Sequence, residues 1–512
     1  MSSQYVEFLN EKQKLAFHAI LDGKSIFLTG PGGTGKSFLL NLVHDAIHKE
    51  TAKTMALTAL TGCAALLLHP KAKTLHSWAG IGLGTDAVPL LVKAIKKSRR
   101  AHLRWVSTDI LVIDEISMMT PELFAKLDEI GRKVRKCEHR PFGGLQLVLV
   151  GDFFQLPPVV KQEADEKVDT AFVFESPLWQ DLKLQTIELT EGMRQKDTKF
   201  QTILNEARRG DLTKPSLRVL ASRMGLDYTQ SQIKPTMLFT RRVEVDRINM
   251  EHLKKLTAER QTFKASTVFL PIPQTQGLSE SDPNLLQAVA KLDGNAQYTP
   301  NLVLAIGAQV MLITNKDPEA GLVNGSRGVV VGYSHPTLQA QLTDLKTKQA
   351  HLLALKTRDP SLLTESELRI LPTLDQALQE TETQRQLLQT QQEAIKLNPG
   401  TEASICIPIV KFRNGQQLPI EHATWEVPDM PGVLRRQIPL RLAYAITIHK
   451  SQGSTLDCAL IDVGEKTFEF GQAYVALSRV KDLDSLYIHD LAASAFKSHP
   501  KVKAFYDASL QA

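Results

Sequence analysis

Gly30-Pro31-Gly32-Gly33-Thr34-Gly35-Lys36-Ser37 fits the pattern G-x-x-x-x-G-K-[ST] and decides how the first part of the chain folds. An apolar run, Ser25 to Thr29, precedes it, and a helical pattern, Phe38 to Ile47, follows it. A strand, a glycine-rich turn and a helix in this order form a phosphate-binding loop, because the N–H groups of the turn and the positive end of the helix meet at one place. The chain is therefore predicted to bind a nucleoside triphosphate.

Each residue of this loop has a predicted task. Glycines let the backbone N–H groups surround the phosphates, Lys36 reaches the β- and γ-phosphates, and the Ser37 hydroxyl ligates Mg²⁺. The alternative, a glycine-rich turn beside a surface lysine, does not account for a match at every fixed position in the right context. ATP and Mg²⁺ are the predicted cofactors, and the predicted cofactor-binding residues of the loop are Gly30, Pro31, Gly32, Gly33, Thr34, Gly35, Lys36 and Ser37.

A second apolar run ends in two adjacent carboxylates. Residues Asp109 to Ser117 read D-I-L-V-I-D-E-I-S, which predicts a buried parallel strand whose carboxyl end lies at the ligand. Asp114 is expected to hold Mg²⁺, and Glu115 to take a proton from the attacking water. A solvated acidic turn is the alternative for a lone Asp-Glu pair. Beside a phosphate loop, the pair indicates hydrolysis.

A third strand is predicted at Leu145 to Val150, followed by G-D-F-F-Q-L-P-P. Gln155 comes just after the strand end, where its amide could contact the γ-phosphate or the water. A polar side chain at this place can report whether the phosphate is present.

Together these blocks resemble the Pif-type (petite integration frequency) DNA helicases, a RecD-like branch of helicase superfamily 1B. The resemblance rests on the phosphate loop, D-E-I-S, P-F-G-G-x-Q-L-x-L-V-G-D-F-F-Q-L-P-P-V, H-K-S-Q-G-S-T-L-D and Q-A-Y-V-A-L-S-R. It covers about Leu9 to Tyr333 and Ile407 to Asp490. It implies an α/β fold with two RecA-like P-loop lobes and a small SH3-like β insert.

The resemblance also assigns nucleotide contacts. Gln13 matches the glutamine that binds the adenine edge, and Arg194 and Arg479 match two arginines that stabilise the γ-phosphate. Guanidinium groups suit this role because they are planar and permanently charged. With these arginines, the predicted catalytic set is Lys36, Glu115, Gln155, Arg194 and Arg479.

Contacts to DNA are predicted from two segments after the phosphate loop and one near the end of the chain. Hydroxyls and backbone N–H groups suit phosphate contacts, and His76 and Trp78 could stack or hydrogen-bond along a single strand. From the residue alone, a core histidine is the favoured interpretation of His76, and the resemblance favours the DNA contact. The predicted nucleic-acid contacts are Thr61, Gly62, His76, Trp78, His449, Lys450, Ser451 and Gln452.

The alternation of strands and helices predicts the two lobes, and the resemblance implies the wedge element and the SH3-like insert. Residues 1–190 form the first lobe, with a wedge element around 80–105; residues 191–330 and 434–512 form the second lobe; and residues 331–433 form the SH3-like insert with an extra helical segment at 335–403. The basic run Lys93 to Arg100 is either that wedge or a solvated helix face. The extra segment is either a solvated helical excursion or an arm that docks a partner.

Composition excludes some classes of protein. The chain has 512 residues, 43% hydrophobic content and a net charge of +6, which is compatible with a phosphate-tracking groove. Its four cysteines form no C-x-x-C pair, so no zinc site or disulfide framework is predicted. No long apolar run and no secretory or clear mitochondrial leader is present. An intracellular protein without membrane contact is predicted, in the nucleus if the cell is eukaryotic.

The function predicted is that of an ATP-dependent DNA helicase. By resemblance it moves 5′ to 3′ on single-stranded DNA as a monomer, opens forked duplexes, and serves replication, repair, recombination or telomeres, with RNA–DNA hybrids and G-quadruplexes as further substrates. A translocase that strips proteins from single strands has the same motifs. A binding-only clamp is a third class, but it needs no complete hydrolytic set. RNA is also a candidate for the main strand along which the protein moves, since phosphate contacts do not depend on base sequence.

Overall fold

A computed structural model describes residues 6–69, 71–82, 84–158, 171–192, 197–228, 234–270, 272–296, 298–314, 316–317, 320, 322, 324–334, 338–357, 374–396, 406–427 and 430–509. The chain forms two units, each with its own sheets and hydrophobic clusters. Unit 1 comprises residues 1–230, 235–245 and 446–512, and unit 2 comprises residues 231–234 and 246–445.

The strands alternate with helices in unit 1 and are mostly antiparallel in unit 2. In chain order they are β1 (Ile26–Thr29), β2 (Met55–Ala59), β3 (Lys73–Thr74), β4 (Ile110–Asp114), β5 (Gln146–Val150), β6 (Gln185–Glu188), β7 (Thr236–Phe239), β8 (Arg260–Lys264), β9 (Ser266–Phe269), β10 (Asn301–Ala305), β11 (Gln309–Leu312), β12 (Arg327–Ser334), β13 (Ile407–Phe412), β14 (Gln417–Pro419), β15 (Ala423–Glu426), β16 (Val433–Gln437), β17 (Leu440–Leu442), β18 (Ala445–Thr447), β19 (Ala459–Val463) and β20 (Leu486–Leu491).

The helices of the described residues vary from one turn to six. In chain order they are α1 (Glu11–Leu21), α2 (Lys36–Glu50), α3 (Gly62–Leu68), α4 (Leu75–Ala79), α5 (Val88–Lys97), α6 (Arg99–Ser107), α7 (Pro121–Val134), α8 (Pro177–Asp181), α9 (Thr198–Arg209), α10 (Lys214–Ala221), α11 (Arg242–Lys255), α12 (Pro283–Asn295), α13 (Leu338–Thr357), α14 (Leu374–Lys396), α15 (Ile448–Ser451), α16 (Gln472–Leu477) and α17 (Pro500–Ser509).

Unit 1 contains a six-stranded parallel sheet in the order β3-β2-β4-β5-β1-β6. Its central strands are strongly apolar because both faces are covered. Along β4, for example, Ile110 and Val112 belong to one hydrophobic cluster, and Leu111 and Ile113 belong to another. The carboxyl ends of β1, β4 and β5 therefore lie side by side at one edge, where an open α/β sheet binds its ligands.

A second, smaller sheet in unit 1 has the order β18-β7-β19-β20, and β7, β19 and β20 are parallel. The C-terminal helix α17 packs against the first sheet, since Val502 and Tyr506 belong to the cluster that contains Phe27 of β1. The fold class is thus α/β with two parallel sheets, as predicted for two RecA-like lobes.

Unit 2 is built mainly from antiparallel strands. Its largest sheet has the order β14-β13-β12-β11-β17, and a three-stranded sheet has the order β15-β16-β9. Strands β11 and β12 pair on either side of Asn324-Gly325, where Gly325 has a φ of 100°. That φ is a conformation that glycine adopts readily.

A helical hairpin of α13 and α14 lies between β12 and β13 in the chain. Leu342, Leu345 and Leu388 form one cluster between the two helices, and Leu352, Leu355 and Leu374 form another. The predicted extra helical segment at 335–403 thus contains a hairpin in which leucines of the two arms pack against each other.

The four-part domain division remains a prediction. Strand β12 crosses the predicted boundary at residue 331 and pairs with both β11 and β13. In the predicted wedge, α5 and α6 carry the basic run from Lys93 to Arg100, and all five lysines and arginines of that run are exposed. No helix of the described residues is long and apolar enough to span a bilayer.

Candidate nucleotide and nucleic-acid site

The phosphate loop joins β1 to α2 and depends on glycine at its first position. Gly30 has a φ of 133°, and a Cβ there would come within 2.2 Å of the carbonyl oxygen of Leu189. Gly33 and Gly35 also have positive φ values, of 87° and 83°. L-residues rarely adopt these conformations, so the glycines allow the loop to fold back over the start of α2.

Lys36 lies within the loop at the start of α2. Its Nζ donates to the carbonyl oxygens of Gly30 at 2.6 Å and Pro31 at 2.9 Å. Burial lowers the pKa of Lys36, and the negative charges of Asp152, Asp114 and Glu115 oppose that shift. The one cation of the loop therefore faces three carboxylates that follow β4 and β5.

The two adjacent carboxylates differ in conformation. Asp114 ends β4, and its Oδ1 accepts the Glu115 N–H at 2.8 Å. Glu115 has a φ of 58°, in the left-handed region that is uncommon for a non-glycine residue and concentrated at functional sites. The two side chains also have different partners, since Asp114 accepts from the Glu115 N–H and Glu115 Oε2 accepts from Gln452.

Burial raises the pKa of both carboxyls. The pKa of Asp114 rises to about 7 because of burial and the neighbouring charge of Glu115. Burial also raises the pKa of Glu115. A hydrogen bond from Gln452 and the charges of Arg479 and Lys36 act in the opposite direction and lower it. The charges of Lys36 and Arg479 therefore do not offset the effect of burial on the two carboxyls, which fits the binding of a divalent cation beside them.

The fit to Mg²⁺ follows from the donor set. Ser37 supplies a hydroxyl in the first turn of α2, and Asp114 supplies a carboxylate at the end of β4. Mg²⁺ is commonly held by one or two protein oxygens, with water and substrate phosphates completing its octahedron. One hydroxyl and one carboxylate match this pattern. Among the described residues no group of three or more His, Cys, Asp or Glu side chains could hold a metal ion.

Gln155 and Gln452 meet beside Glu115. The side-chain amide of Gln452 donates to Glu115 Oε2 at 2.9 Å and lies 3.5 Å from Gln155 Oε1. Gln155 is 8% exposed and Gln452 is 7% exposed. The predicted γ-phosphate sensor and the H-K-S-Q-G segment thus meet at the predicted catalytic base.

Arg479 is held just after the end of α16. Its guanidinium donates to the carbonyl oxygens of Ser451 and Ser454, both at 3.2 Å, and to that of Val475 at 2.8 Å. Its charge acts on Glu115, which places it within electrostatic reach of the hydrolytic centre. The other predicted arginine, Arg194, lies outside the described residues.

Gln13 lies against the phosphate loop, but its amide is used within the protein. Its Nε2 donates to the Thr34 carbonyl at 3.3 Å, and its Oε1 accepts the Asn10 N–H at 3.1 Å as part of a capping box on α1. Its predicted adenine contact would have to replace or share these bonds, and the contact remains a prediction.

A pocket opens beside the loop in unit 1. Its lining comes from the phosphate loop, the segment after β6, and helices α9 and α16, and consists of Pro31, Gly32, Thr34, Thr190, Gly192, Gln201, Leu204, Asn205 and Tyr474. It continues from the phosphate loop toward α9.

The prediction for Trp78 needs correction. Trp78 is 3% exposed, and its ring lies 4.7 Å from that of Trp105 within the hydrophobic core. Arg104 further ties α6 to the Trp78 carbonyl at 2.6 Å. The ring therefore anchors α4 against α6 and is not available to stack on a base.

The other predicted DNA contacts differ in burial and in their bonds within the protein. Thr61 caps α3 by accepting the Ala64 N–H at 3.1 Å, and Gly62 is the first residue of that helix. His76 and His449 are half-buried, and burial lowers the pKa of His449. The side chain of Lys450 lies outside the described part of the chain.

Ser451 faces the protein interior. It is fully buried, its hydroxyl donates to the Ile448 carbonyl at 2.7 Å, and its carbonyl accepts from Arg479. Gln452 donates to Glu115, so both side chains form hydrogen bonds within the protein. The predicted contact of Ser451 and Gln452 with DNA remains a prediction.

Four buried polar residues near the site were not predicted. They are Asp152, Arg208, Tyr474 and Tyr506. For Arg208 the sequence did contain a signal of burial. Phe200, Leu204 and Arg208 are spaced four residues apart, and α9 places all three on its buried face. A cation on an apolar stripe indicates a buried partner. For Asp152 and the tyrosines, only the fold shows that they meet.

Comparison with known proteins agrees with this geometry. Residues 8–216 match the PIF1-like helicase family, and residues 291–333 match the 2B domain of DNA helicase Pif1. The chain is 34% identical to the uncharacterized protein 030L of Invertebrate iridescent virus 6, over 98% of this chain and 94% of that protein. It is 33% identical to the ATP-dependent DNA helicase RRM3 of Saccharomyces cerevisiae, over 99% of this chain and 68% of that protein.

Solved structures give the same result. The Pif1 helicase of Candida albicans superposes with a TM-score of 0.71 at 33% identity, covering 98% of this chain and 99% of that one. A Bacteroides Pif1 bound to single-stranded DNA has a TM-score of 0.60 at 25% identity, covering 98% and 97%. The chain belongs to the PIF1-like family of ATP-dependent DNA helicases.

Proposed function

We propose that this protein uses ATP hydrolysis to move 5′ to 3′ along single-stranded DNA and to open duplex DNA at a fork. The observation that carries the proposal is the hydrogen bond from Gln452 to Glu115, because it joins the H-K-S-Q-G segment to the hydrolytic carboxylate. A motor needs such a connection, since its track must influence its chemistry.

The residues of the site divide the reaction among them. Lys36 would bind the β- and γ-phosphates, and Glu115 would accept the proton of the attacking water. Ser37 and Asp114 would hold Mg²⁺, which supplies charge neutralisation at the phosphate oxygens when bound. Gln155 would orient the water or sense the γ-phosphate. Arg479, together with Arg194, would stabilise the negative charge that develops on the transferred phosphoryl group.

The DNA side is proposed from the family resemblance. Thr61, Gly62, His76, His449 and Lys450 are proposed to line the path of the strand. The Bacteroides relative was solved with single-stranded DNA, and the proposed partners here are single-stranded and forked DNA. RNA–DNA hybrids and G-quadruplexes are proposed as further substrates on the family resemblance, and the nucleus as the site of action in a eukaryotic cell. Genome maintenance is the corresponding cellular role.

The test is steady-state ATP hydrolysis with and without single-stranded DNA. We expect strong stimulation by DNA in the wild type, and its loss in Lys36→Ala and Glu115→Gln. Lys36→Ala should lose nucleotide affinity, whereas Glu115→Gln should keep it, because only the first substitution removes a phosphate contact. Hydrolysis that DNA does not stimulate would contradict the proposal. Stimulated hydrolysis without strand separation would indicate a strand-stripping translocase.

A further inference from the structure

A buried polar network lies between the phosphate loop and α16. It consists of Asp152, Arg208, Tyr474 and Tyr506, which are 0%, 7%, 2% and 1% exposed. Arg208 donates to both oxygens of Asp152, through Nη2 at 2.9 Å to Oδ1 and through Nε at 2.9 Å to Oδ2. Its guanidinium also lies over the rings of Phe154 and Tyr506, at 4.7 Å and 5.3 Å. Asp152 is thus fixed by a forked ion pair.

Tyr474 connects this ion pair to the phosphate loop. Its phenol oxygen accepts the Gly32 N–H at 2.9 Å, and its hydroxyl lies 3.4 Å from Asp152 Oδ2, to which it donates. Burial and the charge of Asp152 raise the pKa of Tyr474, so the hydroxyl keeps its proton at neutral pH. Asp152 orients the phenol, and the phenol holds the backbone of the loop.

Tyr474 lies on a short helix that leads directly to Arg479, the predicted γ-phosphate arginine. Helix α16 contains Tyr474 and ends at Leu477, and Arg479 follows two residues later. Arg479 Nε donates to the carbonyl of Val475, the residue next to Tyr474. Gly32 also packs on this helix, because a Cβ at Gly32 would lie 3.8 Å from both Tyr474 and Ser478.

We infer that Tyr474 is a positioning residue for ATP hydrolysis: its hydroxyl fixes α16 against Gly32 of the phosphate loop and thereby places Arg479. Arg208 and Asp152 act behind it by orienting the phenol. The inference rests on the proposed function, because the effect is read in the hydrolysis rate. It predicts that the hydroxyl contributes to the transition state through Arg479 and contributes little to ground-state ATP binding.

The experiment uses Tyr474→Phe, which keeps the ring and removes the hydroxyl. Its matched control is Tyr298→Phe in unit 2. Tyr298 is 3% exposed, and its hydroxyl donates to Asp293 at 2.6 Å, which in turn pairs with Arg435 at 2.5 Å. The control therefore also removes a buried phenol hydroxyl from a Tyr–Asp–Arg group. Unlike Tyr474, Tyr298 has no hydrogen bond to the phosphate loop among the described residues.

We expect Tyr474→Phe to lower the DNA-stimulated kcat about tenfold, the effect of losing one hydrogen bond that acts in the transition state. Its Kd for ATP should stay within about twofold of wild type. Affinity for ADP with aluminium fluoride, which mimics the transferred phosphoryl group, should fall in parallel with kcat. Tyr298→Phe should leave kcat and both affinities unchanged. An unchanged kcat in Tyr474→Phe, or equal losses in kcat and ATP affinity, would overturn the inference.

A double-mutant cycle with Arg479→Lys tests whether Tyr474 acts through Arg479. The double variant should hydrolyse ATP about as slowly as Arg479→Lys alone, because the positioning has no effect once its target is gone. If the reductions in kcat of the two single variants multiply in the double variant, the inference is overturned. If Tyr474→Phe does not fold, Arg208→Lys carries the same kcat prediction, since it disturbs the phenol through Asp152. Absence of DNA-stimulated hydrolysis in the wild type would instead contradict the proposed function.

Discussion

Gln452 donates its side-chain amide to the carboxylate of Glu115 over 2.9 Å, although the two residues are 337 positions apart in the chain. Gln452 follows α15, which comes directly after β18 of the smaller sheet, and Glu115 follows β4 of the larger one. The bond therefore links the two sheets of unit 1 at the proposed hydrolytic centre. Any movement of α15 changes the surroundings of Glu115.

Replacing Gln452 by Leu should uncouple DNA binding from hydrolysis. Leu has a similar volume but donates no hydrogen bond, so Glu115 loses the amide that orients it. We expect DNA-stimulated kcat to fall about tenfold to a hundredfold, the range for a hydrogen bond to a charged group. Affinity for single-stranded DNA, measured by fluorescence anisotropy, should change less than about threefold. A normal stimulation ratio in this variant would show that the bond carries no coupling.

Gly30 should tolerate no side chain. A Cβ would overlap the Leu189 carbonyl, so Gly30→Ala must displace the phosphate loop. We expect ATP affinity to fall by about tenfold or more, equivalent to about 1–3 kcal/mol of backbone strain. Gly294→Ala is the matched control, since a Cβ there meets nothing within 4 Å in α12. It should bind ATP normally and gain about 0.5–1 kcal/mol in unfolding free energy. Equal ATP affinity in both variants would refute the steric argument.

Trp78 should matter for stability and not for DNA contact. Trp78→Ala is expected to lower the free energy of unfolding by about 3–5 kcal/mol, because it leaves a cavity beside Trp105. Trp78→Phe retains most of the packing and should bind single-stranded DNA within about twofold of wild type. Trp78→Leu removes the aromatic face, and its single-stranded DNA affinity should also stay within about twofold of wild type. A large loss of DNA affinity in Trp78→Leu, with an unchanged Tm, would restore the stacking hypothesis.

His422 should make unit 2 sensitive to acid. Burial and the charge of Arg436 lower its pKa to about 3, whereas an exposed histidine titrates near 6.5. Between these values the unfolded chain binds a proton that the folded chain does not. His422 therefore does not lower the free energy of unfolding above about pH 6.5, and it lowers this free energy increasingly as the pH falls below that value. The loss from this residue should reach at most about 1.4 kcal/mol per pH unit.

Denaturant unfolding at several pH values between about 7.5 and about 4.5, on either side of the unfolded histidine pKa, measures this effect. The variant His422→Gln should show a shallower decline than wild type, because it removes the titrating group and keeps a polar side chain. Parallel curves for the two proteins would mean that His422 takes no part in acid sensitivity.

Local patterns predicted the elements of the nucleotide site well. The phosphate loop, β4 and β5 lie where their apolar runs and glycines place them, because each depends on neighbours in the chain. The partner of Gln452 could not be predicted, since a contact over 337 positions depends on how two sheets pack. Trp78 was misjudged because an aromatic residue in a short helix between a strand and a glycine fits a core or a binding surface equally well.

Strand separation from forks with opposite tails tests the central claim most directly. A fluorescently labelled fork with a 5′ single-stranded tail, and its counterpart with a 3′ tail, are mixed with excess protein, and ATP is added together with a trap for free protein. We predict unwinding of the 5′-tailed fork in a single turnover, none of the 3′-tailed fork, and none of either by Lys36→Ala. Unwinding from the 3′ tail, or no unwinding despite DNA-stimulated ATP hydrolysis, would contradict a 5′-to-3′ helicase.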